Sequence, residues 1–259
     1  MADGHTAIVT GAARPWGLGR QVALQLAQKG HDVAIADVRE DWGNEAAQTI
    51  AAQTGRRAIY IKTDVSKRPE VLAMVERAVA ELGRVDVLVN DAAIGVNKPF
   101  EEFTDEDFHR VIGVNLLGSM LCAQAVIKPM KNQNYGRVVN IASSAPFMPP
   151  PARFPVSLYN ASKGGIIAFT KSAALELARY NIVVSVVAVG GMATGMGLNR
   201  APKPEELKYS VENVYQNALP FGRLIEPAEM AEVVVNVATT KSHAFCGQVI
   251  HANGGRIMP

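Results

Sequence analysis

The stretch TAIVTGAARPWGLGR (6–20) joins a short apolar run to a glycine-rich loop and then to a segment with helical spacing. A helix that begins directly after such a loop points unpaired backbone N–H groups, and the positive end of its dipole, at whatever lies there. Gly11, Gly17 and Gly19 would let the backbone turn tightly and let a pyrophosphate approach. Five residues separate Gly11 from Gly17, where the tightest loops of this kind hold three, so an ordinary turn is the alternative.

The rest of the chain alternates β-branched runs with longer segments of helical spacing. Seven runs have the composition of buried strands: 6–10, 32–37, 58–62, 85–90, 136–142, 181–189 and 248–255. Apolar residues at three- and four-residue steps predict helices at 18–29, 41–54, 68–82, 107–131, 160–180 and 227–239. This alternation predicts a single α/β domain, 1–259, with a doubly wound, seven-stranded parallel sheet flanked by helices.

Composition limits the classes of protein to consider. The 259 residues are 48% apolar and 19% charged with a net charge of +2, which excludes a disordered chain and gives no strong field for nucleic acid or anionic membranes. No apolar run approaches the ~18 residues of a membrane span, and the first residues do not resemble a signal peptide. Cys122 and Cys246 fit no metal spacing. We expect a cytoplasmic protein without nucleic-acid, membrane or metal partners.

Two segments interrupt the alternation, and both follow strands at their carboxyl ends, where open α/β sheets bind ligands. The first, 143–157, contains five prolines and is incompatible with a helix or a central strand. The second, 190–207, is rich in glycine, methionine and proline. We expect both segments to line a binding crevice, and the stretch 190–220 to close over the substrate as a lid.

An acidic residue, Asp37, ends the second predicted strand eighteen residues after Gly19. A carboxylate at this point would accept hydrogen bonds from the ribose hydroxyls of an adenosine. It would also repel the 2′-phosphate of NADP unless a cation intervened, and Arg14 and Arg39 are candidate cations. The sequence therefore favours NAD as the cofactor and leaves NADP as the less favoured alternative.

The stretch YNASK (159–163) places Tyr159 and Lys163 four residues apart, on one face of a predicted helix. A tyrosine pKa must fall from ~10 to ~7, about 4 kcal/mol, before the phenolate serves as a base at neutral pH. An ammonium group ~4.5 Å away supplies roughly 3.7 kcal/mol at an effective dielectric constant of ~20. The pair therefore predicts an acid/base tyrosine whose pKa the lysine lowers.

These motifs occur together in a recognisable order. TG…GLG, DV (64–65), NDAA (90–93), VNLLG (114–118), a serine at 143 and YNASK resemble the short-chain dehydrogenase/reductase family, as does the tail GRLIEPAEMAEVV…CGQVIHANGG. The resemblance spans essentially the whole chain. It implies a Rossmann fold, hydride transfer between nicotinamide and a small alcohol or ketone, and a homotetramer paired through helices 107–131 and 160–180 and through the last strand.

The resemblance also implies roles for the matching catalytic residues. Tyr159 would exchange the proton at the substrate oxygen, and Lys163 would hold the nicotinamide ribose. Ser143 would hydrogen-bond to the substrate, and Asn115 would hold the water of a proton relay. The predicted catalytic residues are therefore Asn115, Ser143, Tyr159 and Lys163.

The resemblance also implies that further matching residues contact the cofactor. Asp64 would bind the adenine amino group, and Val65 would contribute its backbone N–H. Asn90 and Ala92 would line the adenosine ribose, and Thr194 would meet the carboxamide. The predicted cofactor residues are Gly11, Arg14, Trp16, Gly17, Leu18, Gly19, Asp37, Asp64, Val65, Asn90, Ala92, Tyr159, Lys163 and Thr194.

Several positions depart from the family pattern. The glycine loop has two extra residues, best placed at Pro15 and Trp16, and Trp16 is predicted to pack over the cofactor or a neighbouring strand end. Asp91 stands where the family usually has a second asparagine, Ala93 where it has glycine, and Gly190 where it has proline. The proline-rich segment before the catalytic tyrosine is also longer. None of these changes removes a catalytic group, so they bear on cofactor geometry and substrate class.

The substrate itself stays open. An apolar wall is predicted from Met148, Phe154, Met192 and Met196, and Arg153 is a candidate to bind a carboxylate or phosphate. The predicted substrate contacts are Ser143, Arg153, Tyr159 and Met192.

Three functions compete. An NAD-dependent dehydrogenase of a secondary alcohol leads. An NADPH-dependent 3-oxoacyl-thioester (acyl carrier protein) reductase is second, disfavoured by Asp37 and by the longer proline-rich segment. A non-catalytic dinucleotide-binding regulator would not need the four catalytic groups.

Overall fold

Seven strands pair into one parallel sheet in the part of the chain that the computed structural model describes, residues 5–150, 154–194, 200–215 and 219–258. The sheet order is β3-β2-β1-β4-β5-β6-β7, which confirms the predicted doubly wound arrangement. The strands are β1 Thr6–Thr10, β2 Asp32–Asp37, β3 Ala58–Lys62, β4 Val87–Asn90, β5 Gly136–Ser143, β6 Ile182–Val189 and β7 Val249–Ala252.

Helices cover both faces of this sheet. Successive side chains of a strand point to opposite faces, so Ala7 and Val9 of β1 pack under α1, α2 and α8, while Ile8 packs under α3 and α5. The helices are α1 Leu18–Gln28, α2 Glu40–Thr54, α3 Arg68–Leu82, α4 Asp105–Ile112, α5 Gly118–Gln133, α6 Ser157–Leu177, α7 Pro204–Tyr209 and α8 Pro227–Thr239.

The segment predicted as one helix at 107–131 is α4 and α5 joined by a π-helical turn, Gly113–Leu117. Together these pieces form a helix, Asp105–Gln133, that is long and apolar enough to span a membrane by length and composition alone. The helix is not an uninterrupted apolar run, since polar residues such as Asn115 lie within it, and it meets the test on the mean hydropathy of one window. Of that window, 44% is buried in the protein.

The segment 190–207, predicted as irregular, contains the start of α7, which continues into a π-helical turn at Ser210–Val214. Proline in its first turn is typical of a helix start. At the exit of β6, a Cβ on Gly190 would lie 2.6 Å from the Cα of Asn253, so this close approach explains the glycine at that position.

Candidate active site

The carboxyl ends of β1, β4 and β5 lie side by side, with Thr10 paired to Asn90 and Asn90 paired to Asn140. The glycine loop and α1 follow β1, and the proline-rich segment and α6 follow β5. Helix α6 begins at Ser157, three residues before the predicted start, so Tyr159 lies in its first turn. The sheet therefore brings both predicted motifs to one edge.

The glycine loop leaves almost no room for side chains. Gly11 has a φ of +68°, and a Cβ there would lie 2.7 Å from the Cα of Ala92. A Cβ on Gly19 would lie 2.7 Å from the carbonyl oxygen of Gly11. Within the described residues, Gly17 caps α1 without a side-chain hydrogen bond, and its first turn, which begins at Leu18, has no acidic residue. This start of α1 therefore suits an anionic ligand.

One of the two extra loop residues, Trp16, contacts helix α2. The ring of Trp16 packs edge-on against Trp42 at 5.3 Å between centroids, a partner that the sequence did not indicate. The guanidinium of Arg14 lies 5.8 Å from the Trp16 ring, and that of Arg39 lies 3.9 Å from the Trp42 ring. The indole Nε1 of Trp16 is buried without a hydrogen-bond partner in the described part of the chain. A buried donor of this kind fits a ligand oxygen.

Asp37, the last residue of β2, ties the glycine loop to that strand. Its Oδ2 accepts a hydrogen bond from the Ala13 N–H at 3.0 Å, and its Oδ1 accepts one from the Arg39 N–H at 3.0 Å. Each carboxylate oxygen has a second lone pair for a further donor. Together with the tight loop and the Trp16 indole, this carboxylate fits a dinucleotide with its ribose hydroxyls near β2.

Asp64 and Val65 lie beyond the end of β3. The Oδ1 of Asp64 accepts hydrogen bonds from the Ser66 hydroxyl at 2.6 Å and from the Ser66 N–H at 3.0 Å. Val65 is buried against Gly118, where a Cβ would lie 2.7 Å from its Cγ2. Both residues are at the sheet edge expected for the adenine.

Two residues predicted to line the ribose are engaged elsewhere. The Nδ2 of Asn90 donates to the Ser119 carbonyl at 3.1 Å and to the Asn140 Oδ1 at 2.8 Å, inside the core. The N–H of Ala92 donates to the Thr10 hydroxyl at 3.2 Å. The Asn90 Nδ2 thus links β4 to β5 and α5, while its Oδ1 is buried without a partner in the described residues. That Asn90 and Ala92 line the ribose stays a prediction.

The structure brings Tyr159, Ser143 and Lys163 together. The hydroxyls of Tyr159 and Ser143 are hydrogen-bonded, and the Ser143 Oγ also accepts the Ala145 N–H at 3.1 Å. The buried Lys163 donates from Nζ to the Ile141 carbonyl at 2.7 Å. Its Nζ lies 5.7 Å from the centroid of the Tyr159 ring.

Burial dominates the electrostatics of this group. It raises the pKa of Tyr159 to about 12, opposed by the Ser143 hydrogen bond and reinforced by the charge of Asp91. Burial lowers the pKa of Lys163 to about 8, and Asp91 opposes this shift. Desolvation therefore outweighs the other influences on Tyr159, and its pKa lies above the ordinary value where the sequence predicted a lowered one.

Asn115 lies in the π-helical turn and is fully buried. Its Oδ1 accepts the Ile94 N–H at 2.9 Å, and its Nδ2 donates to the Ile94 carbonyl at 2.9 Å and to the Ser162 hydroxyl at 3.0 Å. Ser162 donates to the Tyr159 carbonyl at 2.6 Å. The side chain of Asn115 therefore positions the first turn of α6, and its part in a proton relay stays a prediction.

The structure describes only some of the residues predicted to line the substrate site. Arg153 and Met196 lie outside the described residues. Met192 forms a β-bridge with Ile225 and packs, half-buried, against the core beneath α8. Its place in the substrate wall stays a prediction. Thr194 follows in the next turn.

The sequence did not indicate Tyr215, which follows the π-helical turn after α7. It is close enough to Tyr159 to raise the pKa of that residue, and its hydroxyl would lie 2.6 Å from a Cβ on Gly191. The ring of Phe154 lies 6.4 Å from that of Tyr209 in α7. No motif marks these aromatic residues, because only the tertiary fold brings α7 to the proline-rich segment.

Comparison with known proteins agrees with this geometry. The protein family described as short chain dehydrogenase matches residues 5–205. A short chain dehydrogenase/reductase, astE, of Aspergillus oryzae is 36% identical over 98% of this chain and 95% of its own length. The 3-oxoacyl-[acyl-carrier-protein] reductase FabG of Chlamydia trachomatis is 34% identical over 96% of each chain.

A solved structure gives the same result. The crystal structure of a short-chain type dehydrogenase/reductase from Mycobacterium marinum matches with a TM-score of 0.88 and 30% identity, covering 99% of this chain and 96% of that one. The resemblance seen in the motifs is thereby confirmed over the whole fold. The chain belongs to the short-chain dehydrogenase/reductase family, a family of oxidoreductases that bind a nicotinamide dinucleotide.

Proposed function

We propose that this chain is an NAD-dependent oxidoreductase that transfers a hydride between a secondary alcohol or ketone and the nicotinamide. The observation that carries the proposal is the contact of Tyr159 with Ser143, beside the buried Lys163. It lies at the sheet edge where α1 begins without a side-chain cap of its own in the described residues. We further propose that 1–259 acts as one dinucleotide-binding and catalytic domain in the cytoplasm.

The protein's groups divide the work at the substrate oxygen. In ketone reduction, Ser143 donates a hydrogen bond to the carbonyl oxygen and Tyr159 gives it a proton as the hydride arrives. In alcohol oxidation, the same hydroxyls receive and release that proton in reverse. Bound nicotinamide supplies the hydride donor or acceptor, and its oxidised ring brings a positive charge. Lys163 adds its ammonium charge from the same helix as Tyr159, which favours the phenolate.

Asp37 supports NAD over NADP. Its carboxylate ends β2, where a 2′-phosphate would bring a second anion. The nearby guanidinium of Arg39 is already held, since it pairs with Asp41 at 3.2 Å and stacks on Trp42 at 3.9 Å. A cation with these partners neutralises a phosphate less readily than an unpaired one.

We therefore expect kcat/KM for NAD⁺ to exceed that for NADP⁺ by about tenfold or more in a screen of secondary alcohols followed at the nicotinamide absorbance. Asp37→Asn should reduce that ratio by about tenfold, because it removes the charge that opposes the 2′-phosphate. Glu232→Gln, which removes an exposed carboxylate on α8 away from Asp37 and Arg39, is the control and should keep the preference. A wild-type preference for NADPH would refute the NAD assignment.

A second function has support from the relatives. Proteins described as 3-oxoacyl-[acyl-carrier-protein] reductases are 34% identical over 98% of this chain. If the chain reduces a 3-oxoacyl thioester with NADPH faster than it acts on any alcohol or ketone, this function replaces the first. Binding of NADH without turnover of any alcohol, ketone or thioester would indicate the non-catalytic regulator instead.

The stretch 190–220 is proposed to close over the substrate. Support comes from α7, which lies within this stretch and carries Tyr209 next to Phe154 of the proline-rich segment. The described chain on either side of α7 is anchored, because Met192 before the helix forms a β-bridge with Ile225 after it. Such anchoring would let the intervening helix move as a unit.

We propose a homotetramer. Exposed apolar side chains on α5 and α6 support pairing of these helices between copies, since Met120 is 43% exposed and Leu175 is 85% exposed. Light scattering should give about four times the chain mass of 27.7 kDa. Leu175→Glu should shift the protein to smaller species, and a wild-type monomer would contradict the assembly.

A further inference from the structure

Asp91 follows β4 and reaches the start of α1. Its carboxylate accepts a hydrogen bond from the Gly19 N–H, and its Oδ2 lies 2.9 Å from the position that a Cβ on Gly19 would take. Its own N–H donates to the Thr10 hydroxyl at 3.2 Å. A residue distant in sequence thus provides α1 with the side-chain acceptor that its own N-cap, Gly17, does not supply in the described residues.

The groups around this carboxyl have opposite charges. Lys163 and Tyr159 face it from α6, and Asp37 faces it from the end of β2. Burial raises the pKa of Asp91 to about 6; the charge of Asp37 adds to this, while Lys163 and the Gly19 N–H oppose it. An ordinary aspartate titrates near ~3.9, so this carboxyl changes charge much closer to neutral pH.

We propose that Asp91 couples dinucleotide binding to the uptake of one proton. The ionised carboxylate occupies the Gly19 N–H and places a negative charge where the pyrophosphate would lie. Two anions at one helix start repel each other, so protonation of Asp91 from solvent removes the repulsion. This inference rests on the dinucleotide site proposed above and adds a pH dependence that the family asparagine would not give.

The proposed coupling predicts the direction in which the affinity for NAD⁺ changes with pH. Because cofactor binding favours protonated Asp91, the affinity for NAD⁺ falls as pH rises above the pKa of about 6. Between pH 5.5 and 7.5 the Kd should rise roughly tenfold or more, with proton uptake on binding. Lys163 has a pKa of about 8 and therefore stays mostly protonated in this range.

Isothermal titration calorimetry with NAD⁺ tests this in the wild type and in Asp91→Asn, using buffers of different ionisation enthalpy. NAD⁺ is the probe because the 2′-phosphate of NADP⁺ itself titrates near ~6. Asparagine keeps the shape of the side chain but cannot ionise. We expect the variant to bind with a Kd that changes less than about twofold over this range, and about tenfold more tightly than the wild type at pH 7.5. Glu232→Gln, which removes an exposed carboxylate on α8, should keep the wild-type slope.

Equal pH slopes in the wild type and Asp91→Asn would overturn the inference. If the variant does not fold, the wild type alone decides, because binding at pH 6.5 without proton uptake is incompatible with the coupling. If the protein binds only NADP⁺, the difference between the pH slopes of the wild type and of Asp91→Asn tests the inference, since the 2′-phosphate contributes equally to both slopes. A wild type that binds neither dinucleotide at any pH would instead refute the dinucleotide site itself.

Discussion

Tyr159→Phe is expected to lower kcat by about 10³-fold while the Kd for NADH stays within about twofold of the wild type. Phenylalanine keeps the ring in the first turn of α6 and removes only the hydroxyl that contacts Ser143. The substrate oxygen keeps the hydrogen bond from Ser143 but loses the group that exchanges its proton, and Lys163 does not replace that group because it is directed to the Ile141 carbonyl. Steady-state kinetics and calorimetry measure the two quantities separately.

Tyr180→Phe is the matched control for this change. Tyr180 lies just beyond the other end of α6, where Lys131 stacks on its ring at 4.0 Å, and it should lose no more than about twofold in kcat. A Tyr159→Phe enzyme that turns over within tenfold of the wild type would contradict the acid/base assignment.

The pKa of Tyr159 also favours one direction of the reaction at neutral pH. At a pKa of about 12, the protein's own groups keep the hydroxyl protonated at neutral pH, so it is ready to act as an acid in ketone reduction. Alcohol oxidation needs the phenolate. Its rate should therefore rise with pH across the neutral range, while reduction stays nearly constant until the tyrosine or Lys163 loses its proton.

Gly19→Ala is expected to lower the free energy of unfolding by about 1–3 kcal/mol and to weaken NAD⁺ binding by at least about tenfold. The new Cβ would lie 2.7 Å from the Gly11 carbonyl oxygen and 2.9 Å from the Asp91 Oδ2, both closer than carbon allows. Because the obstructing Gly11 oxygen belongs to the backbone, the glycine loop itself must move. Urea unfolding measures the first effect and calorimetry with NAD⁺ the second.

Gly164→Ala is the matched control, because it also adds a methyl group to a helical glycine. No described heavy atom outside its own neighbourhood lies within 4 Å of that Cβ, so alanine should stabilise α6 by up to about 1 kcal/mol. We therefore expect Gly19→Ala to lower the free energy of unfolding and Gly164→Ala to raise it. A Gly19→Ala protein with wild-type stability and affinity would contradict the tight packing of the loop.

The sheet was largely predictable because its strands are buried on both faces. The runs at 32–37 and 181–189 consist of apolar and β-branched residues and became β2 and β6 nearly as predicted. Strand β4 starts two residues later than predicted, at Val87, although the backbone of Asp86 still bonds to both neighbouring strands through the Thr6 carbonyl and the Arg137 N–H. Helix α7 was missed because glycine and proline dominate the segment around it.

The site was predictable where chemistry is local in sequence. Tyr159 and Lys163 are one helical turn apart, so their proximity follows from spacing alone. The pKa of Tyr159 does not, because desolvation depends on everything packed around it. The same holds for Asn90 and Asn115, whose amides find partners on elements far along the chain. Residue identity was sufficient to predict which residues form the candidate site, whereas the direction of their side chains required the fold.

The contact between Trp16 and Trp42 has a practical consequence. These are both of the chain's tryptophans, and they lie 5.3 Å apart at the glycine loop. Intrinsic fluorescence therefore arises from this one corner of the molecule. Reduced nicotinamide absorbs where tryptophan emits, so a dinucleotide bound beside the loop would quench that emission by energy transfer. The unlabelled protein thus carries its own optical reporter of cofactor arrival, fast enough to follow in a stopped-flow mixer.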